Sequence, residues 1–207
     1  MPRRNVIKND ASEHYYHVYF RGGNRSRIFR EPSDYEYMLK LFSRYLSLKE
    51  SKNSAGISYP NYHNRVDVIA FCLMPNHVHL FVYQHNQRDL TEFMKSLLTS
   101  YSMYFNRKYK RTGPLYESTF KASIILDDAY FQHISRYIHL NPREWQTYDY
   151  SSLPYYLQRI TDDWIDPSPV MNDFSSPQEY EEFMHDYEQN KELIDILKLE
   201  LANGNEV

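Results

Sequence analysis

Apolar positions along this chain change their period several times, and each change marks an element. His14–Phe20 (HYYHVYF) is aromatic and β-branched, the pattern of a strand. Tyr37, Met38, Leu41, Tyr45 and Leu48 then recur at helical spacing, so a helix capped by Ser33 or Asp34 is predicted to about Glu50. Ser51–Asn64 is polar, with Gly56 and Pro60, and reads as a loop. Val66–Leu73 is a second strand. Met74-Pro75-Asn76 is a tight connection, and the run ending Val78-His79-Leu80-Phe81-Val82-Tyr83 is a third strand, so the two form an antiparallel hairpin. Leu90–Lys108 is a long helix with Phe93, Met94, Leu97, Leu98, Tyr101 and Phe105 on one side. Phe120–Leu126 is a fourth strand. Asp127 or Asp128 caps the helix Ala129–Leu140, which ends near Asn141 because Pro142 disfavours helical geometry in the residue before it.

Strand, helix, strand, strand, helix, strand, helix is the predicted order. Its first six elements are the split βαβ, ferredoxin-like arrangement of the α+β class: an antiparallel sheet with helices on one face. The domain is placed at 1–155. Residues 156–207 form an acidic, mainly helical extension, in which Ser176-Pro177-Gln178-Glu179 has the form of a helix start. Behind it Tyr180, Phe183, Met184, Tyr187, Ile194 and Leu197 supply a discontinuous apolar stripe.

Charge sharpens this division. The net of −3 conceals thirteen Asp/Glu against two Lys in residues 161–207, a net of −11, which leaves 22 basic and 14 acidic residues in 1–160, a net of +8. A basic body favours an anionic partner over ordinary surface charge only with further support. The extension either docks by its apolar stripe or folds back on the basic surface in competition with that partner. No apolar run approaches the roughly 18 residues needed to cross a membrane, and the start, Met1-Pro-Arg-Arg-Asn-Val-Ile-Lys, lacks the apolar stretch of a signal peptide. A single cysteine, Cys72, excludes an intrachain disulfide and any multi-cysteine zinc site. A cytoplasmic protein without membrane partners is the expectation.

Candidate chemistry begins with His77 and His79. A strand repeats every two residues, so both imidazoles point to one face, a plausible divalent-metal site; the plainer reading is two partly buried strand histidines. On the last helix Ile134, Tyr137, Ile138 and Asn141 share a face, so a phenol lies one turn from an amide oxygen. A phenol attacking phosphorus needs a metal to polarise the phosphoryl oxygen, and an amide carbonyl can serve beside two imidazoles as ligand; most such tyrosines are core aromatics. Arg21-Gly22-Gly23-Asn24-Arg25-Ser26-Arg27 is a glycine-hinged turn with three arginines (21, 25 and 27) suited to phosphate or to solvent alike. Arg107, Lys108, Lys110 and Arg111 surround Tyr109 at the end of the long helix. That segment can track a nucleic-acid backbone, or simply place cations at the helix C-terminus.

Pro75-Asn76-His77-Val78-His79-Leu80 resembles the HUH motif (histidine, apolar residue, histidine) of the single-tyrosine transposases of insertion sequences and their REP-associated relatives. Arg21-Gly22-Gly23-Asn24-Arg25 with Ile28-Phe29, then Tyr104-Phe105-Asn106, Gly113-Pro114-Leu115-Tyr116, and Arg136-Tyr137-Ile138-His139-Leu140-Asn141-Pro142 resemble that family's segments in its order, over about residues 14–155. One departure is Tyr116-Glu117-Ser118-Thr119-Phe120, where many relatives carry an arginine. The resemblance implies a DNA transposition and recombination enzyme acting on single-stranded or hairpin DNA. In it Tyr137 is the nucleophile, His77, His79 and Asn141 hold Mg²⁺ or Mn²⁺, and a 5′-phosphotyrosyl link forms with release of a 3′-OH. With one tyrosine, a 3′-OH attacks that link to reseal. Relatives act as monomers or homodimers. The competing expectation is a non-catalytic single-strand or hairpin DNA binder on the same fold.

Overall fold

The hairpin forms where the apolar runs place it. In a computed structural model, which describes residues 10–126 and 128–186, strands β1 (His14–Arg21), β2 (Val66–Met74), β3 (His77–Gln84) and β4 (Lys121–Ile125) form one antiparallel sheet in the order β2-β3-β1-β4. Met74 pairs with His77, leaving Pro75-Asn76 as the two-residue turn. This is the strand order of the split βαβ fold. Helices α1 (Pro32–Leu46) and α2 (Asp89–Lys108) cover one face, where Val18, Phe20, Leu80 and Val82 meet Met38, Leu41, Phe93 and Leu97 in the larger core.

The third long helix, α3 (Asp128–His139), lies on the opposite face. Strand β2 is apolar on both sides: Val68, Phe71 and Leu73 enter the larger core, while Ile69, Ala70 and Cys72 enter a second one with Phe81, Ile134 and Ile138. A bulge between Val68 and Ala70 sets Ile69 and Ala70 on the same side. Because β3 alternates, His77, His79 and Phe81 all point toward α3. Asp127, one of the two predicted caps of this helix, lies outside the described residues.

Two boundaries of α1 differ from expectation. Glu31, not Ser33 or Asp34, is the N-cap. It precedes Pro32 and is extended (φ −145°, ψ 165°), as a residue before proline must be, while Asp34 stands inside the first turn and completes a reciprocal capping box. The helix also stops at Leu46, short of Glu50. Ser47 accepts from Asn61 and Leu48 donates to Asp163, so that backbone is bonded outside the helix and Leu48 is 72% exposed.

The short helix α4 (Leu153–Tyr156) spans residue 155, and the short helix α5 (Ser168–Met171) and the helix α6 (Pro177–His185) follow. Ser176 caps α6 by accepting from the Glu179 amide, as its sequence predicts. Tyr180 and Met184 are buried with Tyr156 and Val170 in the second core, and Trp164 and Ile165 enter the first. The position 155 is therefore no break in packing. Tyr187, Ile194 and Leu197 of the predicted stripe lie outside the described residues.

Candidate active site

Sheet register brings three histidines together. His79 pairs with Tyr19 on β1 and His77 with Arg21, and one step further along β1 His17 reaches His79 diagonally. His17 Nε2 lies 2.9 Å from His79 Nδ1. The His77 and His79 rings stand perpendicular (86°) with centres 5.1 Å apart. His77 Nδ1 lies 2.7 Å from the side-chain oxygen of Asn76, whose amide nitrogen donates to the Arg25 carbonyl.

From the opposite layer, α3 supplies Tyr137. Its ring is edge-on to His79 (centres 5.3 Å, 87°) and to His17 (5.9 Å, 79°). It is half-buried between buried neighbours Arg136 and Ile138. Asn141, one turn on, donates to the Tyr137 carbonyl at 2.9 Å. The four predicted site residues therefore meet in one chain.

Burial sets the protonation of these rings. His17 is pushed down to about 4, and His79 well below the usual histidine range, first by burial and then by its histidine neighbours. His77 is lowered by burial, against which a hydrogen bond with Asn141 pulls upward. At neutral pH all three are neutral, the form that offers a lone pair to a metal. Two neutral imidazoles, that of His77 partly exposed and that of His79 buried, with a partly exposed amide oxygen are a donor set that suits a divalent ion. Among the described residues no group of three or more His, Cys, Asp or Glu is arranged to hold a metal, so an ion here would need the Asn141 oxygen beside the two imidazoles.

Tyr19 of β1 also flanks the site, its ring centre 4.9 Å from that of His79 and 5.7 Å from that of His77, whereas the tyrosines of α2 are elsewhere. Tyr101 is buried under the opposite face and donates to the Ile28 carbonyl; Tyr104 donates to Asp34. The cations divide as well. Arg25, Arg27, Arg107 and Lys110 are exposed. Arg21 forms a two-pronged bond with Glu117 (3.0 and 3.2 Å). Arg111 bonds Asn106 and lies over the Phe105 ring. Lys108 is tied at 2.6 Å to both Asp34 and Glu31 and is a structural cation of the α1–α2 contact.

His17 and Asn76 were not singled out from the sequence. His17 stands in HYYHVYF with Tyr15 and Tyr19 on its side, and only the pairing of β1 with β3 reveals that this side is the one His79 faces. Asn76 sits in the turn, where asparagine is ordinary.

Comparison with known proteins adds three findings. The family described as "Transposase IS200 like" matches residues 10–141. No curated protein matches the chain. A solved structure described as a REP-associated tyrosine transposase bound to a REP hairpin superposes with a TM-score of 0.50 at 13% identity, over 80% of this chain and 93% of that one, which shows a shared fold. Among the described residues no helix is long and apolar enough to cross a membrane.

Proposed function

Because the chain belongs to the IS200-like transposase family, we propose that it cuts and rejoins single-stranded or hairpin DNA through a covalent bond to Tyr137. The observation that carries this reading is the meeting of Tyr137 from α3 with His79 and His77 from β3 in one chain. The solved relative bound to a DNA hairpin supports the substrate class.

In the proposed step the Tyr137 oxygen attacks the scissile phosphorus. The phenol gives up its proton, the Tyr–O–P bond forms, and the bond from phosphorus to the 3′ oxygen breaks, leaving a 3′-OH and a 5′-phosphotyrosyl link. The energy of the broken bond is kept in the new one, so a 3′-OH can reverse the step or join a different strand. Asn141, through its bond to the Tyr137 carbonyl, ties the last turn of α3 to the site, and the edge contact with His79 orients the phenol. His77, His79 and Asn141 would hold Mg²⁺ or Mn²⁺, which when bound polarises the phosphoryl oxygen. That one chain can supply every named residue is compatible with a monomer or a homodimer.

A hairpin oligonucleotide incubated with the full chain and Mn²⁺ tests the reading. A protein–DNA adduct that survives denaturing electrophoresis is expected, lost in Tyr137→Phe while DNA affinity stays within a few-fold, because only a hydroxyl is removed. Retention of the adduct in Tyr137→Phe and its loss in Tyr104→Phe would reassign the nucleophile. Hairpin binding with no adduct from the unaltered chain, at any metal concentration, would favour the binding-protein reading.

A further inference from the structure

The bond between His79 and His17 is a contact of the site that the proposed reaction leaves unused. The ring planes lie 13° apart with centres 5.1 Å apart, and the facing nitrogens are 2.9 Å apart. Stacked rings keep their atoms about 3.5 Å apart or more, so a nitrogen pair this close excludes face-to-face stacking. A ring nitrogen stands about 1.1 Å from the ring centre, so a collinear bond of this length between coplanar imidazoles sets the centres about 5.1 Å apart, as observed. The contact is an in-plane N–H···N hydrogen bond. Two lone pairs, or two N–H groups, would repel at that distance, so one proton lies between the nitrogens.

His77 shows the same device with its polarity legible. Asn76 turns its amide nitrogen to the Arg25 carbonyl and therefore its oxygen to His77 Nδ1. An amide oxygen only accepts, so the ring nitrogen it faces is the donor of this bond and His77 carries a proton on Nδ1. At His79 the Nδ1 atom is taken up by His17, so only Nε2 is left to ligate, and a ligating nitrogen carries its lone pair.

We propose that His17 is the positioning residue of His79: its Nε2 accepts the His79 Nδ1–H, fixing the tautomer and the ring plane so that the His79 Nε2 lone pair faces the site. This rests on the metal-dependent reading above. His17 suits the task because it is 5% exposed and belongs to β1, whose register against β3 is locked along the whole strand. A neighbour that bonds the far nitrogen of a metal-binding histidine sets both its tautomer and its basicity, and losing it commonly costs 10–100-fold in metal affinity.

Calorimetric titration of the full chain with Mn²⁺ alone, without DNA, tests the assignment. His17→Leu is expected to bind Mn²⁺ roughly 10–100-fold more weakly. His17→Gln, whose side-chain oxygen can accept the same proton, is expected within a few-fold of the unaltered chain, and both should keep its melting temperature to within a few degrees. Mn²⁺ binding that is lost in His79→Ala but unchanged in His17→Leu overturns the proposal and leaves the metal site standing. An unaltered chain that takes up no Mn²⁺, or His79→Ala that binds as well, overturns the metal reading and this proposal with it. The ¹⁵N spectrum of the histidines in the unaltered chain, which needs no variant to fold, is expected to show His79 protonated at Nδ1; protonation at Nε2 overturns the proposal.

Discussion

Gly22 joins the arginine loop to the turn before His77, and it does so by having no side chain. A Cβ there would stand 2.3 Å from the Ser26 carbonyl oxygen and 2.8 Å from an Ile28 methyl. The closeness has a use: Gly22 donates to the Asn76 carbonyl, and Ile28 and Phe29 both donate to the Pro75 carbonyl. Those bonds satisfy the turn that presents Asn76 and His77. Gly22→Ala must therefore push a backbone carbonyl aside, at about 1–3 kcal/mol by the usual cost of overpacking. At Gly23 the nearest atom to such a Cβ is 3.7 Å away, an ordinary contact, so Gly23→Ala should cost little. Chemical denaturation of the two variants checks this, and equal losses would show that the tight approach at Gly22 is unimportant.

At the scale of elements, the C-terminal end of α2 carries cations with two different jobs. Asp34, fully buried at the start of α1, is raised by burial but held below the usual carboxylate range overall. Lys108, the amides of Arg30 and Glu31, and the Tyr109 hydroxyl hold it there. Lys108→Ala removes one donor from a buried charge and should destabilise the chain by about 1–3 kcal/mol. Arg107 and Lys110 are exposed on the same helix end. The double change Arg107→Ala, Lys110→Ala should leave the melting temperature nearly unchanged and weaken binding to single-stranded DNA, with a shallower salt dependence. If the double variant bound DNA as before, the basic end of α2 would be a solvated helix terminus and no more.

For the whole molecule, the acidic extension matters through its apolar side chains. Eight of its thirteen acidic residues fall in 161–186, the stretch that also supplies Trp164, Ile165, Val170, Tyr180 and Met184 to the two cores. Polar anchors accompany them. His139 of α3 lies 2.8 Å from the Tyr180 hydroxyl and 2.6 Å from Ser152, and Ser152 bonds the β2 backbone at Phe71. Arg136 donates to the Phe183 carbonyl and lies over that ring. The helix that carries Tyr137 is thus held from behind by the extension. Each fully buried large side chain contributes about 1.5–3 kcal/mol, so a chain ending at residue 160 is expected to lose its cooperative thermal transition. A chain ending at residue 186 should keep it. A folded, cooperative 1–160 chain would show the extension to be dispensable. The docking half of the sequence expectation describes residues 156–186; competition with DNA is tested only with chains that keep them.

The sequence by itself determined the elements and most of their contents. Alternation in β1 and β3, the continuous apolar run of β2, the helical period of α2 and the Ser176-Pro177 start of α6 are local patterns, written by the backbone's own periods and capping needs. The pairing of His77 with His79 was legible for the same reason, since two residues apart on a strand is one face whatever the fold. So was Tyr137 with Asn141, one helical turn apart. What only the tertiary structure decided is which face meets which. The bulge in β2 and the burial of β2 on both sides place α3 on the face opposite α1 and α2, and the β1–β3 register sets His17 against His79. Likewise, whether Lys108 meets DNA or Asp34 depends on a contact between residues 74 positions apart. Register and layer order are settled by packing between distant segments, and no local period encodes them.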